Sequence, residues 1–303
     1  MSNLEARPVE TDVTRCDAMA EVFEPRVVPL GGLRAMSVER VMPQRGLPTV
    51  GAWCFLDSYG PADVAMRVLP HPHTGLQTVT WPLAGEIHHR DSIGSDVLVR
   101  PGQLNLMTAG RGVSHSELSV SEPLHGLQLW VALPADHATM APAFEQHVDL
   151  PVYDGFATVL MGSVGDATSP ATTHTPLVGA DLAVAGTRVL PLRPDYEHAV
   201  LAVSDLTVAG TPLRKGQLLY LGTGRSRVEL ADGRAFLLGG EPFPEDLVMW
   251  WNFVGRSHEE IAGARAAWEA ADELFGTVPG HDGARIPAPD LPGIRLTPRR
   301  RRQ

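Results

Sequence analysis

Residues 69–81 read LPHPHTGLQTVTW, and residues 107–117 read MTAGRGVSHSE. Each stretch carries two metal-ligating side chains two positions apart: His71 and His73 in the first, His115 and Glu117 in the second. Successive side chains on a β-strand alternate between faces, so residues i and i+2 point the same way. Two such strands facing each other inside a small barrel aim three imidazoles and one carboxylate at a single point. That donor set suits one divalent transition metal (Fe, Mn, Co, Ni, Cu or Zn) and leaves coordination positions open. Cysteine is absent from the set, which argues against a structural zinc site. Cys54, within GAWCFLD, reads as a core residue.

The flanking residues agree with a barrel. Pro72 cannot donate to a ladder and places its strand at an edge or mouth. Gly110-Arg111-Gly112 bends the chain ahead of His115, and Ser114 and Ser116 alternate outward. If the strand after His73 stays regular, Gln77 and Trp81 share the ligands' parity and point into the same interior. Trp81 and Met107 are candidates for walling an aromatic pocket. Glu117, the only acid of the set, is assigned a double role as ligand and as proton acceptor. The lone histidines His88, His89, His125, His137, His147, His174, His198, His258 and His281 read as satisfied or exposed side chains.

Composition narrows the class. The chain has 303 residues, 44% hydrophobic and 20% charged, enough for two domains with substantial cores. Its 30 glycines and 26 prolines favour a turn-rich β chain. Two cysteines fit a reducing compartment. No apolar run reaches membrane-spanning length and no apolar leader opens the chain, so a soluble cytoplasmic protein is expected. The net charge of −10 disfavours direct nucleic-acid binding. The basic cluster Arg299–Arg302 reads as a solvated end.

Short apolar stretches cut by Gly, Pro and Asp run from about residue 25 to 240. They are preceded by a flexible arm (1–24) and divide near DLPVYDG into a first unit (25–150) and a second (151–276). A segment rich in Pro and Gly (277–303) reads as a mobile tail. Residues 100–111 match residues 214–225 at six of twelve positions, an offset of 114 that indicates a duplicated barrel. At that offset His115 meets Glu229 and Glu117 meets Ala231, so one metal per chain is expected. Ser257 and Glu260 form a capping box that opens a helix reaching toward Gly276, with Ile261, Ala264, Trp268 and Leu274 or Phe275 as its apolar stripe.

Taken together, GAWCFLDSYGP, HPHTGLQTVTW, PGQLNLMTAGRGVSHSE, GLQLWVALP and GEPFPEDLVMWWNFVGRSHEEI, in that order over residues 26–276, resemble the pirin family of the cupin superfamily. The resemblance implies an all-β bicupin: two tandem cupin barrels (double-stranded β-helix, or jelly-roll) with a short C-terminal helix. It further implies Fe(II), held only in the first barrel by His71, His73, His115 and Glu117. Some pirins resemble quercetin 2,3-dioxygenases, which cleave a flavonol with O2 and release carbon monoxide. Others act as non-enzymatic regulators of transcription factors or metabolic enzymes through a protein partner. Many pirins carry Glu where this chain has Gln77. A fused bicupin is a monomer by default.

Overall fold

The computed structural model describes residues 20–29, 37–63 and 65–298. Most of the arm and the Arg299–Arg302 cluster lie outside them. The first barrel is a sandwich of two sheets. One has seven strands, in the order Ala143–His147, Leu104–Thr108, Leu76–Ala84, Leu124–Ala132, Trp53–Ala62, Ser37–Met42, Arg26–Pro29. The other has four, in the order Arg67–His73, Val113–Ser119, Ile87–Asp91, Asp96–Val99. Both ligand couples lie on the four-stranded sheet, on neighbouring antiparallel strands.

The seven-stranded sheet is covered on both faces. One faces the four-stranded sheet; the other packs Val79, Trp81, Leu106 and Leu129 against Leu177, Leu201, Phe236 and Leu238 of the second barrel. Its central strands therefore read as nearly continuous apolar runs such as LNLMT, because neither side meets water. The second barrel winds nine strands around an interior that includes Val200, Leu219, Val228, Leu230 and Leu237.

The repeat is visible in the backbone. Strands Leu104–Thr108 and Leu218–Gly222 lie 114 residues apart and follow the same turn. In one, Gln103 Oε1 accepts from the Arg100 N–H at 3.1 Å; in the other, Gln217 Oε1 accepts from the Arg214 N–H at 2.7 Å. Beyond this point the copies diverge by one residue. In Arg227–Gly240 it is Val228 and Leu230 that turn into the barrel, while Glu229, aligned with His115, is exposed. A one-residue slip exchanges the two faces of a strand.

The ends of the chain depart from expectation. Glu21–Phe23, inside the segment read as a flexible arm, pairs with Leu218–Gly222 of the second barrel. The helix spans His258–Glu269, capped by the Ser257 hydroxyl, which accepts from the Glu260 N–H at 3.2 Å. It stops short of Gly276: Ala271 takes a positive φ of 55°, and Asp272 caps a separate 3-10 turn, Glu273–Phe275. Ile261, Trp268 and Phe275 still bury together. The tail, read as mobile, lies back along the first barrel. The Ile286 N–H donates to Pro70 O at 2.8 Å, Trp268 Nε1–H donates to Ile286 O at 2.8 Å, and His281 Nε2 lies 2.9 Å from Ser116 Oγ. Among the described residues no helix is long and apolar enough to cross a membrane.

Candidate metal centre

Strand register brings the couples together. His71 lies directly across from His115, and the pairing shifts at a bulge between His115 and Glu117. His73 Nε2 and His115 Nε2 are 3.1 Å apart, and the His71 ring centroid is 4.9 Å from that of His73 and 4.4 Å from that of His115. Donor atoms of His71, His73 and His115 all fall within 4.8 Å of one another, as do those of His89, His115 and Glu117. His73 and His115 are each 1% exposed, Glu117 6% and His71 7%.

These residues fit a metal. Two imidazole nitrogens face each other at a distance where at most one can carry a proton. Burial above all, and then the neighbouring imidazoles, hold His73 and His115 well below the usual histidine range. Neutral imidazole is the form that binds a metal. The opposite ring nitrogens are engaged outside the centre. His71 Nδ1–H donates to Leu69 O at 3.0 Å and His73 Nδ1–H to Asn252 O at 3.2 Å, which leaves each Nε2 with its lone pair.

The carbonyl that orients His73 comes from the far end of the chain. Asn252 lies in the hairpin between Val248–Trp250 and Phe253–Gly255, which docks through the Val254 N–H donating to Thr74 O at 3.1 Å. Gly75 permits the approach: its φ is +70°, and a Cβ there would stand 2.1 Å from Val254 O.

Glu117 is held by the opposite sheet. Its Oε1 accepts from the Thr80 hydroxyl at 2.9 Å, and Thr80 Oγ1 also lies 3.1 Å from the Gln128 side-chain amide. A hydroxyl has one proton; given to the carboxylate, it obliges Gln128 to turn an amide N–H toward Thr80. Trp130 stands edge-on to His73 with ring centroids 5.3 Å apart, and stacks on Phe55 at 4.0 Å. Arg40 lies over Phe55 and pairs with Asp57 at 2.7 Å.

Of the three residues expected to line a pocket, Met107 lies on the ligand side, clustered with Phe55, Val113 and Trp130. Gln77 and Trp81 do not. Gln77 donates to Thr108 Oγ1 and Thr172 O, and Trp81 Nε1–H donates across the barrel interface to Asp181 Oδ2 at 3.0 Å. The parity of His71 and His73 does not extend to Gln77 and Trp81 because Thr74–Gly75 carries the chain from one sheet to the other, and alternation does not survive that turn. Thr78 and Thr80 take the inward positions instead. His89, set aside as a lone histidine, is 1% exposed and stands beside His115 and Glu117. The signal for it was present: His89-Arg90-Asp91 is itself an i,i+2 couple. A groove of about 660 Å3 on the second barrel, bounded by Asp205, Arg214 and Asp232, contains none of these residues.

The Pirin family profile matches residues 35–131, and the profile of the pirin C-terminal cupin domain matches residues 178–273. The chain belongs to the pirin family. This pirin is 42% identical to the Pseudomonas aeruginosa protein named "Putative quercetin 2,3-dioxygenase PA1205", over 96% of this chain and 98% of the relative. A crystal structure titled quercetin 2,3-dioxygenase from Acinetobacter baumannii superposes with a TM-score of 0.85 at 39% identity, covering 91% of this chain and 97% of that one. The fold is shared with the Escherichia coli pirin YhhW, crystallised with nickel(II), at 18% identity and a TM-score of 0.60. There 74% of this chain covers 100% of the other.

Proposed function

We propose that the protein is a single-metal dioxygenase of the quercetin 2,3-dioxygenase type, with His71, His73, His115 and Glu117 holding the metal, Fe(II) in our reading. The observation that carries it is the convergence of buried, neutral imidazoles with one carboxylate beside an aromatic and thioether wall. The names of the Pseudomonas and Acinetobacter relatives support the substrate class.

When bound, such an ion supplies Lewis acidity and one-electron exchange toward O2 and an ionised aromatic hydroxyl. The chain supplies the rest. Glu117 accepts the flavonol hydroxyl proton, while the Thr80 hydroxyl bound to Oε1 keeps the carboxylate in place. Trp130 and Met107 present flat and soft apolar surface to an aromatic ring, and the low exposure of the ligands excludes bulk water. Gln77, turned to the barrel interface, takes no part, so its departure from the Glu of many pirins leaves this chemistry untouched.

Burial also favours a second reading. Ligands this enclosed suit a sensor whose metal charge is felt at the barrel mouth by a protein partner. Oxygen uptake and carbon monoxide release by the Fe(II)-loaded protein with quercetin, run beside His115→Ala, separates the two. Turnover in the parent alone supports the dioxygenase. Bound iron without turnover overturns it in favour of the regulator.

A further inference from the structure

Each candidate ligand histidine must keep Nε2 unprotonated. For His71 and His73 a backbone carbonyl accepts the Nδ1 proton. A carbonyl can only accept, so those two tautomers are fixed. His115 has no such partner: its Nδ1 faces another ring nitrogen, His89 Nδ1, at 3.4 Å, and its Nε2 faces the accepting Nε2 of His73 at 3.1 Å, which competes for the same proton. An imidazole nitrogen can be donor or acceptor, and the wrong choice would place a proton on His115 Nε2, where the metal binds.

Asp91 decides the choice. It is fully buried, and its Oδ1 accepts from the Ile93 N–H at 3.0 Å and the Ser95 N–H at 2.8 Å. Its Oδ2 lies 3.3 Å from His89 Nε2. A carboxylate only accepts, so a neutral His89 ring donates from Nε2 and keeps a lone pair on Nδ1, which can accept the proton of His115 Nδ1. The strands enforce the arrangement: Asp91 pairs with His115 and His89 with Glu117, so all four side chains share one face. Phe144 stacks on the His89 ring at 4.7 Å and fixes its plane.

We propose that Asp91 and His89 are positioning residues that form a relay fixing the proton of His115 on Nδ1, and so keep its Nε2 open to the metal. The proposal rests on the reading of His115 as a ligand, and not on the dioxygenase activity.

The test reverses the relay without removing it. In Asp91→Asn the amide oxygen stays with the two turn N–H groups, and the amide N–H2 then faces His89 Nε2. His89 must now donate from Nδ1, and His115 carries its proton on Nε2. His89→Asn places a carbonyl oxygen near the former Nδ1 position, able to accept from His115 whatever residue 91 is. Two readouts apply: imidazole 15N chemical shifts of His115 in the metal-free protein, which report its tautomer, and Co(II) affinity followed by visible absorption.

The expected result is an Nδ1–H His115 in the parent and an Nε2–H His115 in Asp91→Asn, which binds Co(II) about 10–100-fold more weakly. His89→Asn and the double variant should bind alike, and both more tightly than Asp91→Asn. An Nε2–H tautomer in the parent overturns the relay. So does Asp91→Asn binding Co(II) within twofold of the parent, or a loss that persists in the double variant, which would assign Asp91 to the turn alone. Failure of the parent to bind Co(II) counts against the ligand reading instead, and the 15N shifts still judge the relay.

Discussion

The two barrels share a glutamine-capped turn and the strand that follows it, yet one encloses His71, His73, His89 and His115 while the other is filled with leucine and valine. The difference does not lie in residue identity alone. After the shared strand, the second barrel turns the opposite parity inward, so Glu229 faces solvent and Val228 and Leu230 occupy the interior. A carboxylate at the position aligned with a candidate ligand histidine is therefore no remnant of a site. It stands on the wrong face, and the volume a metal would need is occupied.

The sharpest way to break this comparison is metal stoichiometry. The parent should bind about one metal ion per chain, with nearly all of it lost in His115→Ala and none lost in His198→Ala, which alters the second barrel. Elemental analysis reading near two per chain, or full retention in His115→Ala, would sink the assignment. Next in size is the plug itself. Leu230→Ala removes a fully buried side chain and should cost about 2–5 kcal/mol in denaturant unfolding while leaving metal content unchanged. A coupled loss of metal would mean that the second barrel does more than support the first.

Acid sensitivity sharpens the comparison further, because buried histidine is used in both barrels. Burial, first among the causes, pushes His198 down to about 4 from an ordinary 6.5. Between these values the unfolded chain binds the proton more readily, so stability is complete above about pH 6.5 and falls as pH drops toward 4. Thermal melts of metal-free protein across that range should show the fall, and His198→Gln should flatten it; an unchanged slope would remove His198 from the account. The smallest effect tests the repeat. Gln103→Ala and Gln217→Ala each remove a turn acceptor, at about 0.5–1.5 kcal/mol. Gln217→Ala should cost more, since Gln217 also donates to Glu24 at 2.6 Å and ties the N-terminal strand to the second barrel.

Much of this is legible in the sequence. The His71/His73 and His115/Glu117 couples declared both their strands and their shared face, because alternation holds within a strand. The turns at Arg100 and Arg214 announced the duplication. What failed did so where local pattern meets tertiary context. Gln77 and Trp81 escape the pattern because parity does not carry across Thr74–Gly75, where the chain changes sheets. His89 is hard to read because a lone histidine carries little information, although Asp91 two residues on gives the same spacing as the candidate ligand couples. The end of the helix is not legible in the local sequence, since nothing distinguishes Ala271 from the alanines before it; the competing cap at Asp272 decides it. The composition of the C-terminal segment suggests mobility, and composition is blind to docking partners as far upstream as Ser116 and Pro70.

That docking has a consequence for how the molecule is made. The outward hydroxyls of the strand carrying His115 and Glu117 are closed over by the end of the chain: Ser114 donates to Phe275 O at 2.8 Å, and Ser116 contacts His281 at 2.9 Å. These partners stand 161 and 165 residues downstream. Synthesis runs from the N-terminus, so the first barrel waits through translation of the entire second barrel with the back of the strand carrying His115 in water. The finished site is thus assembled only after the second barrel has been made, and a ribosome-bound nascent pirin that ends before Phe275 presents the candidate ligands without their backing.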